Sequence, residues 1–146
     1  MKTKAMLVLA LAMLSSLVIA VVPAAAASGP ERSYVVTVEN LTENQAITPA
    51  VAATHNDSFR LFQNGQAASN GVQQLAENGG VPVLADELAA NANVGSVMVI
   101  GDAPIAPGAS AAALITTDPG NRRLSLGAML ICTNDGFAGH SSMVLP

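Results

Sequence analysis

The chain opens on one long apolar block and then breaks into short runs of changing period. Lys2 and Lys4 precede an apolar stretch from Ala5 to Val22 whose polar members are Ser15 and Ser16, closed by Pro23 and a string of alanines. That order matches the basic, apolar and small-residue regions of a secretory leader. Ala25 and Ala27 satisfy the A-x-A preference, so residues 1–27 are read as a signal peptide cleaved after Ala27. A retained anchor is the alternative, since the run approaches the roughly 18 apolar residues that span a bilayer. The proline and the small-residue site favour processing.

Residues 28–33 form a polar lead-in, and 34–146 are read as one domain. Tyr34 to Glu39 (YVVTVE) is β-branched and alternating, and it ends at Asn40, which predicts a strand followed by a turn. From Asn40 to Asp57 the chain turns polar and reads as an extended surface loop, with a short strand around Ile47 to Ala53. Phe59 and Phe62 precede a turn at Gln63–Asn64–Gly65. Ala67, Val72, Leu75 and Ala76 predict a short helix that Asn78–Gly79–Gly80 ends, because asparagine and glycine reach the left-handed conformation cheaply. A second helix is expected from about Pro82 to Ala92, with Val83, Leu84 and Leu88 on one face. Four strand-like runs follow, Val94–Ile100, Ala111–Thr117, Leu124–Thr133 and Phe137–Leu145, each bounded by turn residues. Such spacing predicts antiparallel pairing in a mainly β sandwich.

Composition narrows the function classes. Without the leader the chain keeps Arg32, Arg60, Arg122 and Arg123 against ten acids, a formal balance of −6. Neutralising phosphates needs a basic stripe, which excludes nucleic acid as a partner. No later segment approaches membrane-spanning length. Cys132 is alone, so no intramolecular disulfide can form, and the domain must be held by its core. Tyr34, Phe59, Phe62 and Phe137 are all its aromatics, so packing rests on Val, Leu, Ile and Ala.

Candidate chemistry is sparse. Ser110 in GASAA lacks the second glycine of a G-x-S-x-G elbow and precedes a strand, which argues against a nucleophile. Cys132 with His140 would supply a thiolate and base, but in AMLICT a lone cysteine reads as a small buried hydrophobe. His55 and Asp57 are two apart and would face the same way if extended. No second ligand spacing supports a transition metal there, and both read as solvated loop residues. Asn40–Leu41–Thr42 and Asn56–Asp57–Ser58 fit the N-glycosylation pattern, which matters only in a host with that machinery. Thr133–Gly136 carries two readings. Asp-Gly between apolar strands signals a hairpin turn with positive φ. Alternatively the Asp135 carboxylate, the Asn134 side-chain carbonyl and backbone oxygens would ligate calcium, weakly, since that ion takes six to eight oxygens.

The run LSLGAMLICTNDGFAG resembles the signature of the spondin N-terminal domain, in which a strand leads to a short T-N-D turn, an aromatic residue and a glycine. Further similarity lies at Val38–Thr42, at PAVAATH (residues 49–55), at Leu61–Phe62 before GQAA, and at Leu75–Gly79. The resemblance implies an extracellular, C2-like antiparallel β-sandwich with calcium in the loops at one end, non-enzymatic and acting through adhesion to an extracellular protein or surface ligand. Within it Asp135 matches the metal-ligating turn aspartate. Spondin-type domains continue past the strand ending V-x-L-P through a further acidic segment, whereas this sequence stops at Pro146. The expectation is therefore a sandwich lacking its last strands, a metal site short of carboxylates, and an exposed strand from Phe137 to Leu145 open to self-association. A secreted hydrolase using Ser110, His55 or His140, and a nonfunctional fragment, are the alternatives.

Overall fold

The computed structural model describes residues 29–146, so the leader, its cleavage point at Ala27 and Ser28 lie outside the described residues. Six strands and two helices follow in the order β1 (Arg32–Glu39), β2 (Ala50–His55), α1 (Asn70–Asn78), α2 (Val81–Ala89), β3 (Val94–Ile100), β4 (Ser110–Thr117), β5 (Arg123–Met129) and β6 (Phe137–Val144). All pairings between strands are antiparallel. β1 and β4 form a two-stranded sheet, and the other four strands form a second sheet in the order β3-β2-β5-β6. The expected mainly β sandwich is present, in open form.

Burial explains which strands alternate. Along β1, Tyr34, Val36 and Val38 point inward, while Val35 faces water opposite Leu114 of β4. Between the sheets Ile47, Ala52, Ile100, Ile105, Ile115, Leu124 and Leu145 form one core. The helices cover the other face of the larger sheet, where Val51, Ala53, Leu61, Val72, Leu75, Leu84 and Leu88 form a second. β2 lies between these two cores and is buried at every position. The short strand expected around Ile47 to Ala53 is present as β2, but it is an inner strand of the sheet rather than part of a surface loop. A strand covered on both faces has no polar face to display, so AVAATH lacks the usual alternation. Its alanines leave room for close packing on both sides.

Local chemistry sets the helix ends. Ser69 caps α1 by accepting the Val72 N–H, and Gly79 ends it at φ 65, donating to the Leu75 carbonyl. Glu87 of α2 accepts the Gly71 N–H at 2.6 Å, a carboxylate placed at the N-terminal end of α1. Leu84 and Leu88 are buried as expected, but Val83 is 39% exposed. Four-residue spacing carries the seam of this short helix, and Val83 lies off it.

Asn40, read from sequence as a polar loop residue, is 2% exposed. Its Nδ2 donates to the carbonyls of Gln45 and Ile105, both at 2.8 Å, and its Oδ1 accepts from Thr42. It thereby fastens the loop after β1 to the loop after β3.

β5 ends at Met129, short of the expected Thr133, because the backbone beyond is diverted to another partner. Leu130 bridges Ile47, and the Ile131 N–H donates to the Ala46 carbonyl. Cys132 is consequently exposed rather than a buried hydrophobe. β6 is an edge of the larger sheet and leaves Met143 and Val144 partly open to water.

Candidate functional site

Antiparallel pairing gathers the strand ends at two poles. His55 lies at the pole where β1, β3 and β5 begin. It is fully buried, not the solvated loop residue its polar neighbours imply. Its Nε2 sits 2.8 Å from Ser125 Oγ of β5, and its Nδ1 sits 2.7 Å from the Asn56 carbonyl. A carbonyl can only accept, so Nδ1 carries the proton and Nε2 accepts from the Ser125 hydroxyl. Ser125 Oγ also accepts the Ser142 N–H at 2.8 Å. Ser142 lies in β6 beside the register shift between β5 and β6, and its φ of 69 is unusual for a residue with a side chain. The edge of the His55 ring meets Phe59 at 5.0 Å between centroids.

Burial lowers the His55 pKa below its ordinary 6.5. Repulsion from Arg60 and Arg123 acts in the same direction, and the Asn56 carbonyl and Asp57 act against it. The ring is therefore neutral at pH 7. Asp57 points outward, away from His55, and pairs with Arg123, the one ion pair among the described residues. Hydrogen bonding and charge from Arg123 hold its carboxyl below the usual range. The two residues do not share a face, because the chain leaves the sheet between them.

The other sequence candidates are dispersed. Ser110 is exposed at the start of β4, at the opposite pole and in the other sheet from His55. His140 is exposed midway along β6, opposite Leu126, whereas Cys132 lies in the loop after β5. The serine that does meet a histidine is Ser125, which sequence reasoning passed over. Its signal was a polar residue inside the apolar strand RLSLGAM. That pair is sealed, with His55 at 0% and Ser125 at 1% exposure, so no substrate reaches it in this conformation.

Asn134 and Asp135 occupy the opposite pole and are exposed. The segment is not the tight Asp-Gly hairpin. Gly136 does not take positive φ, and the loop closes instead through Thr133, whose Oγ1 donates to the Leu130 carbonyl at 2.7 Å and accepts the Gly136 N–H at 2.9 Å. Glycine is needed at 136 for space, since a Cβ there would lie 2.6 Å from Thr133 Oγ1. Among the described residues no group of three or more His, Cys, Asp and Glu side chains converges. One carboxylate and an amide do not fit a tightly held calcium ion, which takes six to eight oxygens.

At the first pole two adjoining concavities, of about 410 and about 210 Å³, share Pro119 and Arg122. The larger is lined also by Asn56, Asp57, Ser58 and Gly120, and the smaller by Pro30 and Arg32 among others. Among the described residues no helix is long and apolar enough to cross a membrane.

These features define an open antiparallel β-sandwich with a helical layer on one sheet and loops displayed at two poles. The family model Spondin_N matches residues 40–145, and the chain belongs to the spondin N-terminal domain family. No curated protein matches it.

Proposed function

We propose that the chain is a secreted, non-enzymatic module that binds a protein or surface ligand at the cell exterior. Membership of a generally non-enzymatic family supports this reading, as does the leader-like pattern of residues 1–27. The observation that carries it is the sealing of the Ser125–His55 pair. A nucleophile and base that meet only in the core do structural work, while among the described residues the exposed Ser110 and His140 have no such partner. Calcium at Asp135 and Asn134 would be weak and adventitious to the fold. The open edge of β6 offers a second copy a route to strand pairing.

Saturable retention of the labelled chain on intact cells or extracellular material, with no turnover of activated esters or glycosides above buffer, is the expected result. Turnover that disappears in Ser110→Ala would overturn it in favour of a hydrolase.

A further inference from the structure

Arg32, Arg60, Arg122 and Arg123 are scattered in sequence, yet β1, the loop after β2 and the β4–β5 turn bring all four to one pole. Three of them are engaged. The Arg32 guanidinium donates to the Pro146 carbonyl at 2.9 Å, Arg60 donates to the Asp57 and Phe59 carbonyls at 3.0 and 2.7 Å, and Arg123 holds the Asp57 carboxylate and the Ser142 carbonyl. Arg122 is exposed, and among the described residues its guanidinium has no hydrogen-bond or ion-pair partner.

The two carboxylates beside it each hold another group, and Asp57 keeps only its Oδ2 free. Asp57 Oδ1 is taken by Arg123, while Asp118 accepts the Gly120 N–H at 2.7 Å and the Asn121 side chain at 3.0 Å. Arg122 is thus an unspent cation on the wall shared by two concavities, in a chain that is otherwise strongly acidic. The larger concavity falls within the roughly 300–1,000 Å³ typical of small-molecule clefts. Its lining adds the Ser58 hydroxyl and the free Asp57 Oδ2, groups that exchange hydrogen bonds with hydroxyls, while the Asn56 amide, which donates to Asn93 and accepts the Ser58 N–H, holds that wall in place. Pro119 and the Asp118 turn fix the wall in advance of binding.

We infer that this concavity binds an acidic sugar. The Arg122 guanidinium takes the carboxylate as a planar fork, and Asp57 Oδ2 and the Ser58 hydroxyl take the ring hydroxyls. A bare anion would use the arginine alone, and a neutral sugar would leave it unpaired.

This inference rests on the binding reading and names a ligand class for it. The test is an amide chemical-shift titration of the secreted chain with glucuronate, glucose and sulfate. Glucuronate is expected to shift the Ser58 and Gly120 amides saturably at millimolar concentration, and glucose and sulfate to bind more weakly. Arg122→Gln is expected to keep the wild-type melting temperature and to weaken glucuronate binding about tenfold or more, the loss of a charge-assisted bidentate contact. Absence of a saturable glucuronate shift, or an unchanged affinity in Arg122→Gln, overturns the proposal. Sulfate binding as tightly as glucuronate overturns the sugar assignment. Retention on cell surfaces that survives Arg122→Gln removes this site but leaves the binding reading standing.

Discussion

Replacing Ser125 by alanine removes one hydroxyl and strands two partners. The His55 Nε2 loses its donor, and the Ser142 N–H loses its acceptor. Neither regains water easily, because Ser125 is 1% and His55 0% exposed. A buried group left without its hydrogen bond costs about 1–3 kcal/mol. Two such groups, relaxing together, should cost roughly 3 kcal/mol, since coupled losses add incompletely. The deleted oxygen is too small to leave much cavity, so polarity dominates the cost. For a domain of this size about 4 °C is lost per kcal/mol, which places the melting temperature about 12 °C below wild type. Urea unfolding followed by circular dichroism measures the free energy directly, with Ser110→Ala as a control expected to stay within about 0.5 kcal/mol. A Ser125→Ala loss below 1 kcal/mol, or one equal to the control, would refute the claim that this hydroxyl locks β2, β5 and β6 together.

Acid should weaken the fold through His55. Its folded pKa lies below 6.5, so the unfolded chain binds a proton that the native ring refuses. The stabilisation is complete above pH 6.5 and is lost as pH falls from there toward the folded value, which unfolding at pH 7.5 and 5.5 will detect. Flat stability across that range sinks the assignment of a buried neutral ring. Gly136→Ala forces Thr133 Oγ1 from its two hydrogen bonds and should cost about 1–3 kcal/mol through overpacking, again read by urea unfolding; a neutral result would mean that the loop closes some other way. Calcium at about 1 mM should raise the melting temperature by less than about 2 °C over chelator, because weak binding to the folded state adds little. A larger rise would show a fuller ligand set than Asp135 and Asn134 provide.

The strands that alternate, β1 and β4, were readable because each shows one face to the core and one to water. β3 was readable from its β-branched run and the turn residues at its ends. α1 was readable from its glycine stop. β2 was readable only as a short strand around Ile47 to Ala53, with its end at His55 missed, since burial on both faces erases the period-two signal that marks a strand's bounds. For the same reason His55 looked like part of a polar loop, although Ala50, Val51, Ala52 and Ala53 just before it line two cores. The apolar run AMLICT promised one long strand, but pairing with Ile47 and Ala46 draws the chain out of the sheet after Met129 and leaves Cys132 in water. Asp135–Gly136 carried a true turn signal with the wrong geometry, because glycine's small size rather than its φ is what the loop uses. The arginine pole was illegible for a different cause. Residues 32, 60, 122 and 123 become neighbours only through strand register, which no local pattern encodes.

The clamp at Asn40 bears on how this protein can be produced. In a eukaryotic secretory host the Asn40–Leu41–Thr42 sequence invites a glycan on the very nitrogen that donates to the Gln45 and Ile105 carbonyls. Sugar transfer reaches a chain before it folds, and the folded protein has no space there for an oligosaccharide. Every molecule glycosylated at that site would lose at least one of the two hydrogen bonds, since the sugar replaces one of the two Nδ2 hydrogens, and with it the joint between the two loops. Expression should therefore divide into a folded, unmodified fraction and a retained, glycosylated one, and Thr42→Ala would remove the sugar while also weakening the clamp it was meant to protect.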